Sequence, residues 1–245
     1  MAKLSGTQIR NGLLAVLPAE ERTTLEALCT PVTLRQHDVL SEPYRPIEYV
    51  YFFEEGLSSE IAISPNGERI ATGCVGREGL SGLSAFLGVD TSPHRTSMEV
   101  GGSALRIRAQ DLRAAVDTDP LLKAVLLRYA HVFMVQIAAT ALAGGRYTIE
   151  QRLARGLLMC HDRIDCEDLP ITHEFLSLML GVRRSGITEA LHMFEGERII
   201  RAQRSLITIR SRPELVERAA GSYGAPEAEY ERLIGVPWSS LRNGK

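Results

Sequence analysis

The sequence has few of the features that mark secreted, membrane-spanning or metal-holding proteins. It has no stretch of about 18 apolar residues free of charge, and its N-terminus lacks the apolar region of a signal peptide. We therefore expect a cytoplasmic protein with no membrane partner. The cysteines are scattered, and although Cys160 and Cys166 lie close together, no second pair of ligands follows them. A zinc or iron–sulfur site is not expected, and we predict no cofactor.

Catalytic motifs are also missing from the sequence. It has no nucleophile elbow, P-loop or dinucleotide fingerprint. A cupin-like enzyme needs several histidines and a glutamate at close spacing, but residues 30–110 contain only His37 and His94, far apart. We predict no catalytic residues and no metal, and a cupin-like enzyme stays as an alternative class.

Charge is nearly balanced overall but unevenly distributed. The 245 residues carry a net charge of −2, with 44% hydrophobic and 24% charged residues, as in an ordinary soluble protein with one or two domains. Between Arg198 and Arg212 there are five arginines and no acidic residue. With Arg183 and Arg184 they predict a local basic face, which is typical of phosphate binding.

A segment in the C-terminal half has the pattern of two short helices joined by a glycine turn. Thr172 can cap the first helix, and Gly181 lies where the chain must leave it, because a residue without Cβ tolerates the left-handed conformation. The apolar residues recur at helical spacing: Phe175, Leu176, Met179 and Leu180, then Ile187, Ala190, Leu191 and Phe194. Arg183, Arg184 and Ser185 open the second helix. This is the layout of a helix-turn-helix, whose second helix meets base edges in the major groove.

A β-hairpin is predicted to follow, with strands at Ile199–Ile200 and Leu206–Ile209. It would form a wing whose arginines hold phosphates and set the register on DNA. Arg184 is the best candidate for base readout, because Arg paired with guanine is the commonest specific contact. The full set expected at the DNA is Arg183, Arg184, Ser185, Thr188, Glu189, Thr172, His173, Arg201 and Arg204.

The N-terminal half is predicted to be rich in β-strands. Short apolar runs between turn signals, from residue 21 to about 110, suit a sandwich or jelly roll. The runs are Pro31–Leu34, Val39–Leu40, Ile47–Phe53, Ser58–Ile63, Arg69–Val75, Ser97–Val100 and Ala104–Ile107. Two helical pieces, roughly Thr7–Leu17 and Ala19–Leu28, are expected to pack on this domain.

A long apolar helix is predicted between the two halves. Asp119 suits its N-cap and Pro120 its first position, and it would run to about Ala143 and end at a hinge at Gly144-Gly145. Several residues have the alternating three- and four-residue steps of a coiled-coil seam: Leu122, Val125, Tyr129, Val132, Gln136, Ala139 and Ala143. We expect them to join two subunits, because a helix-turn-helix commonly binds two half-sites through a two-fold axis. The alternative is an ordinary core helix in a monomer.

The remaining elements complete an α+β organisation. Thr148 and Gln151 form a capping box for a helix to Arg163, and Leu215–Ala220 is a short helix before a tail. The predicted divisions are a β-roll sensor domain with N-terminal helices (1–118), a dimerisation helix and hinge (119–145), a winged helix-turn-helix domain (146–212) and a C-terminal tail (213–245).

Residues 15 to 212 resemble the Crp/Fnr family of bacterial transcription regulators. In the output half the matching residues are Ile171-Thr172, Leu176, Met179, Gly181, Arg184, Leu191, Phe194–Glu195 and Ile199-Ile200. In the sensor half they are Val50–Phe53, Gly56, Gly76–Gly79, Gly82 and Leu87-Gly88. The resemblance implies a double-stranded β-helix (jelly-roll) sensor domain, a long dimerisation helix and a winged helix. It also implies a homodimer on a palindromic double-stranded operator, with RNA polymerase as a further candidate partner.

The same resemblance bears on what the sensor domain binds. Cyclic-AMP-binding members use an Arg-Ser or Arg-Thr for the phosphate, for which Arg95-Thr96 could stand, but Gly82 replaces their ribose-binding Glu. Ile137-Ala138 replaces their adenine-binding polar pair, so cyclic AMP is not expected. The candidate pocket for an unknown small-molecule effector consists of Gly82, Leu83, Arg95, Thr96, Ile137 and Ala138.

Other signals and other functions stay open. The Fnr-type iron–sulfur cluster needs several N-terminal cysteines, and only Cys29 lies there. A haem ligand could come from Cys74, His37 or His94, although no spacing links them. Ser185 and Glu189 depart from the cyclic-AMP-binding relatives, so the operator should differ. The signal is expected to be a small molecule or a redox change. The further alternative is a ligand-binding sensor whose helical region binds another protein.

Overall fold

The computed structural model describes residues 9–203 and 205–242. Among these residues the N-terminal part contains four helices and two antiparallel sheets of four strands each. The helices are α1 (Gly12–Ala15), α2 (Ala19–Ala27), α3 (Leu83–Phe86) and α4 (Ala109–Thr118). The strands are β1 (Thr30–Leu34), β2 (Val39–Ser41), β3 (Tyr49–Phe53), β4 (Leu57–Ile63), β5 (Arg69–Val75), β6 (Leu80–Ser81), β7 (Arg95–Val100) and β8 (Gly102–Arg108). The two sheets have the strand orders β1-β8-β3-β6 and β2-β7-β4-β5, and together they form the predicted jelly roll.

The C-terminal part is a winged helix-turn-helix whose hydrophobic core also includes Leu57, Ala71 and Cys74 of the sensor strands. Its elements are α6 (Ile149–Arg163), β9 (Asp168–Leu169), α7 (His173–Leu180), α8 (Arg184–Gly196), β10 (Ile200–Gln203), β11 (Leu206–Ile209) and α9 (Arg212–Arg218). The wing strands β10 and β11 pair in antiparallel register, and β9 adds a third strand. The capping box predicted at Thr148 and Gln151 is present at the start of α6.

The long helix α5 (Pro120–Arg146) connects the two parts. The Asp119 side chain accepts hydrogen bonds from the backbone N–H groups of Leu121 and Leu122, as its N-cap position predicts. The helix does not end at Gly144-Gly145 as predicted, because α5 continues through both glycines to Arg146, and their role as a hinge stays a prediction. Each glycine costs a helix only about 1 kcal/mol relative to alanine, which the alanine-rich turns before it can offset.

In the single chain most residues of the predicted dimer seam face the inside of the same molecule, and their role in joining two subunits stays a prediction. Leu122, Val125, Tyr129, Val132 and Gln136 are all buried in the single chain. The Gln136 side chain binds the main chain of a sensor strand: its Oε1 accepts from the Cys74 N–H at 2.7 Å, and its Nε2 donates to the Cys74 carbonyl at 3.1 Å. The heptad-like pattern therefore reports the face that packs on the sensor domain and on a C-terminal helix.

A second stripe on α5 is exposed instead. Because each residue of an α-helix turns the chain by about 100° around the axis, this stripe lies on the side of α5 opposite the buried face. Leu127, Met134, Ala138 and Ala141 recur along it at steps of seven, four and three residues, with Leu142 beside them. Leu127, Met134 and Leu142 are about half exposed, which is unusual for large apolar side chains on one helix.

By length and composition alone, α5 could cross a membrane. One 18-residue window reaches a mean hydropathy of 1.5, and 39% of its residues are buried in the protein. The stretch between Arg128 and Arg146 has 17 residues without Asp, Glu, Lys or Arg, and it includes the polar residues His131, Gln136 and Thr140. Core helices of soluble proteins pass the same test, so this is weak evidence for a membrane span.

Helices that the sequence reading did not predict occur in both halves. In the sensor domain, α3 and α4 are additional helices, and the predicted helix Thr7–Leu17 is only the single turn α1 among the described residues. Beyond the winged helix, the tail forms α10 (Ala225–Ile234) and α11 (Trp238–Arg242). These two helices fold back: α10 packs along α5, and α11 packs on α6.

Candidate DNA-binding surface and effector pocket

The turn between α7 and α8 has the local geometry that the sequence predicted. The Thr172 hydroxyl accepts a hydrogen bond from the Phe175 N–H at 3.1 Å and caps α7. Gly181 has φ +63°, in the left-handed region where a side chain would be strained. A Cβ there would lie only 3.0 Å from Ile70 Cδ1 on β5. The helix-turn-helix therefore rests against the sensor sheet at its turn.

The recognition helix α8 separates its apolar and polar faces. Four apolar residues pack into the core of the winged helix: Ile187, Ala190, Leu191 and Phe194. Arg183, Arg184, Ser185 and Glu189 are exposed at the start and on the outer face of α8. The side chains predicted to meet bases thus lie together on an open surface of the single chain.

Arg184 is held by an ion pair that bridges the two helices. Its Nη2 lies 2.6 Å from Oε2 of Glu174 on α7, and the two side chains are 65% and 70% exposed. Exposed ion pairs contribute only about 0–1 kcal/mol, since water solvates both partners. The guanidinium of Arg184 is therefore oriented but readily released.

Two of the predicted contact residues make local hydrogen bonds within the helices. Thr172 caps α7 through its hydroxyl, and Thr188 donates from its hydroxyl to the Arg184 carbonyl at 3.0 Å. His173, in the first turn of α7, is half-buried. These three residues frame the exposed surface formed by Arg183, Arg184, Ser185 and Glu189.

The wing carries fewer free arginines than the run in the sequence suggests. Arg201 is exposed on β10, whereas Arg204 lies outside the described residues. Arg212 is engaged within the domain, since its Nη2 lies 2.6 Å from the buried Asp162 and donates to the Tyr223 hydroxyl at 2.9 Å. The wing is joined to α8 by a hydrogen bond from the Ala202 N–H to Oε1 of Glu195, at 2.7 Å.

A cavity of about 370 Å³ lies between the sensor sheets and α5. It is lined by four of the six residues predicted for the effector pocket: Gly82, Leu83, Thr96 and Ile137. The two others do not line it. Arg95 donates from Nη2 to Glu42 at 2.9 Å, and Ala138 lies on the exposed stripe of α5. Arg95 points away because neighbouring residues of a strand face opposite sides of the sheet.

The polar end of this cavity is acidic. The Thr96 hydroxyl donates to Glu60 Oε2 at 2.7 Å, and His94 Nδ1 lies 3.6 Å from Glu60 Oε1. The hydrogen bond to Glu60 raises the pKa of His94. Lysine and arginine are absent from the residues that line the cavity. A phosphate would therefore meet the Glu60 carboxylate with no lysine or arginine beside it, and His94 is already paired with that carboxylate.

The candidate metal and redox residues are dispersed. Among the described residues, no group of three or more His, Cys, Asp or Glu side chains could hold a metal ion. Burial raises the pKa of the Cys74 thiol to about 12 and that of Cys160 well above its usual value. Cys166 is exposed at the start of the winged helix, and its thiol donates to the Asp168 carbonyl. At neutral pH the two buried thiols are protonated and unreactive.

Known proteins share this architecture. Residues 151–218 match the model of the Crp-like helix-turn-helix domain. The structure of FixK2 from Bradyrhizobium japonicum is 18% identical, with a TM-score of 0.66, and the match covers 77% of this chain and 96% of that one. The Crp-family regulator TTHB099 from Thermus thermophilus is 15% identical, with a TM-score of 0.68, covering 79% and 99%. No curated protein matches the sequence.

The fold and the exposed start of α8 define a winged helix-turn-helix protein coupled to a jelly-roll domain. Residues 151–218 thus match a Crp-like helix-turn-helix domain, and the fold of the chain is similar to that of solved Crp/Fnr-type regulators. The predicted fold class is thereby confirmed.

Proposed function

We propose that the protein is a homodimeric, sequence-specific regulator that reads a palindromic operator with the start of α8. The observation that supports this most is the exposed group Arg183, Arg184, Ser185 and Glu189 on a helix whose other face is buried. Arg184 reads guanine through O6 and N7, and Glu189 accepts from cytosine N4. Arg183 and the wing arginine Arg201 hold phosphates and set the register. Acting on DNA in this way, the protein works in the cytoplasm.

Whether Arg184 leaves Glu174 for a base depends on the relative free energies of the ion pair and of the base contact. An exposed ion pair of this kind is worth about 0–1 kcal/mol, whereas a bidentate contact with guanine discriminates by about 1–3 kcal/mol. The guanine contact therefore prevails, and Glu174 serves to keep Arg184 extended before DNA arrives. Removing Glu174 should leave base preference intact.

Selection from a random-sequence duplex pool tests this proposal directly. The Arg184→Ala variant should lose the preference for guanine at one position in each half-site and bind the wild-type site about 5- to 150-fold more weakly, because about 1–3 kcal/mol of readout is lost. Glu174→Ala should keep the preference. Arg232→Ala is the matched control, since Arg232 is an exposed arginine paired with Glu229 on α10. A selected sequence that is the same for Arg184→Ala and wild type would refute the role of Arg184.

The homodimer is proposed to form through the exposed stripe of α5. Leu127 and Met134 give it large apolar side chains, and Ala138 and Ala141 allow the helices to approach closely. Leu127 and Met134 also line the cavity. A second subunit would cover the cavity. A ligand bound in the cavity and the geometry of the dimer would therefore influence each other.

The sensor cavity is proposed to take a small molecule other than cyclic AMP. Its apolar walls include Leu83, Phe133 and Ile137, and its polar groups centre on Glu60. A neutral or cationic ligand with a hydrogen-bond donor suits this lining, because Glu60 can accept from it. A cyclic phosphate would have to lose its water beside a carboxylate, which is costly.

Titration with cyclic AMP tests the cavity proposal. Cyclic AMP at millimolar concentration should not shift the melting temperature, since ligand binding to the native state would raise it. Binding at micromolar concentration that is lost in a Thr96→Val variant would contradict the proposal. In that case Thr96 would contact the phosphate, as the resemblance to cyclic-AMP-binding members implies.

A further inference from the structure

The C-terminal strap, residues 224–242, contacts both domains of the molecule. Its first helix, α10, packs along α5, and its second helix, α11, packs on α6 of the winged helix. Tyr230, Ile234, Trp238 and Leu241 are buried and join the hydrophobic core of the sensor domain. The strap lies beyond residues 151–218, which match the helix-turn-helix model.

Under the strap lies a buried ion pair between the two domains. Glu78 follows β5 in the sensor domain, and Arg163 ends α6 in the output domain. Arg163 Nε lies 2.7 Å from Glu78 Oε1, and the side chains are only 1% and 4% exposed. The second carboxylate oxygen of Glu78 accepts from the Gly76 N–H at 3.0 Å. Burying two charges is costly, and their attraction offsets this cost only if the geometry is good and the remaining hydrogen bonds are satisfied.

The strap supplies groups to the arginines at this contact. The Trp238 ring lies 5.2 Å from the Arg163 guanidinium, within the range of a cation–π interaction. The Leu241 carbonyl accepts from Arg77 Nη1 at 3.0 Å. Glu227 at the start of α10 is buried and interacts electrostatically with Arg163. One aromatic ring, one carbonyl and one carboxylate of the strap thus complete the environment of the arginines of both domains.

The path of the chain gives the strap a mechanical role. Since α5 continues to Arg146 and α6 begins at Ile149, only Tyr147 and Thr148 connect the helices. This short connection does not by itself fix the angle between sensor and output domains. The contacts that do fix it include those around Arg163 and the packing of Gly181 on Ile70.

We propose that the strap is an interdomain lock that holds the winged helix in one orientation on the sensor domain. While α11 covers Glu78 and Arg163, the domains move as one body. When α11 lifts, water reaches the ion pair and the winged helix is released to other orientations. Regulation then consists of a shift between locked and released populations, and any ligand that binds one of them better changes the balance. The lock acts without DNA, so it stands or falls independently of the proposed DNA readout.

Trp238 makes the lock directly observable, since it is the single tryptophan of the chain. The full-length Leu241→Asp variant should release α11, because a charge replaces a buried apolar side chain. We expect Trp238 emission to shift to the red and its quenching by acrylamide to rise, because local opening exposes a buried side chain to solvent. Ser239→Ala is the matched control, because Ser239 is exposed on the same helix.

Hydrogen exchange measures whether the domains separate when α11 is released. Leu241→Asp should lose protection in peptides on both sides of the contact, around Gly76 in the sensor domain and Arg163 in the output domain. Glu78→Gln removes the charge on the sensor side of the ion pair and leaves the strap sequence unchanged. It should lose protection in the same two groups of peptides. If Trp238 becomes exposed but protection around Gly76 and Arg163 is unchanged, the strap does not lock the domains. Unchanged Trp238 quenching in Leu241→Asp would equally refute the proposal.

Discussion

At the residue scale, two tyrosines buried in the same core have opposite hydrogen-bonding states. The Tyr129 hydroxyl on α5 accepts a hydrogen bond from the Leu80 backbone N–H. The Tyr230 hydroxyl on α10 is buried without a partner among the described residues, facing Gly12, where a Cβ would lie 2.4 Å from it. A buried polar group is favourable only when it is bonded, so the two hydroxyls should contribute with opposite sign.

Replacing each tyrosine by phenylalanine tests this difference. Tyr230→Phe should raise the free energy of unfolding by about 1 kcal/mol, because an unsatisfied hydroxyl is removed, and Tyr129→Phe should lower it by about 1 kcal/mol, because a hydrogen bond is lost. Urea denaturation followed by circular dichroism measures both. A loss of stability in Tyr230→Phe would show that its hydroxyl has a partner after all.

Single residues also show how far local sequence signals reach. The cap at Thr172, the left-handed turn at Gly181 and the N-cap at Asp119 were all predictable, because each depends on neighbours within four residues. Arg95 was not, since it was assigned by resemblance to the cavity but binds Glu42 outside it. Which partner a long side chain reaches depends on groups more than 50 positions away in the chain.

At the scale of elements, α5 has two apolar faces with different roles. The face with the regular seam spacing is buried by the sensor domain and α10, while the stripe containing Leu127, Met134 and Ala138 is exposed. Periodicity identified the helix and its amphipathic pattern. It could not say which apolar face a second subunit would use, because α10 was not predicted.

A charge in the exposed stripe tests its role in dimerisation. Ala138→Glu should raise the dimer dissociation constant at least about a hundredfold, because two like charges would face each other across the two-fold axis at a cost of several kcal/mol. Sedimentation equilibrium measures this constant. Arg128→Ala is the control, as Arg128 is exposed roughly 100° around the helix from Leu127. If Ala138→Glu dimerises like wild type, the subunits meet elsewhere.

At the scale of the whole molecule, a chain of net charge −2 is expected to bind a polyanion. This requires local rather than total positive charge, and Arg183, Arg198, Arg201 and Arg210 are exposed on the output domain. Arg212 belongs to the same run in the sequence but pairs with the buried Asp162. Because folding pairs Arg212 with Asp162, Arg212 is not among the arginines available to bind phosphate.

The dependence of DNA affinity on salt concentration should show how many arginines contact phosphates. Each phosphate contact adds about 0.9 to the slope of log affinity against log salt. Arg201→Ala should therefore reduce the slope by about 1 and weaken binding equally on all sequences. Arg218→Ala, which removes an exposed arginine already paired with Glu197, should leave the slope unchanged. An unaltered slope in Arg201→Ala would place the wing away from the phosphates.

The sequence by itself determined the order of the main parts from the jelly roll to the wing, the turn of the helix-turn-helix and the face of α8 that carries Arg184. These follow from capping, glycine conformation and apolar periodicity, which act within a few residues of the chain. Tertiary structure alone decided which face of α5 stays exposed, that Gly144 and Gly145 stay helical, and that the tail packs across both domains. Those outcomes depend on contacts such as that between Arg77 and Leu241, 164 positions apart, which no local pattern encodes.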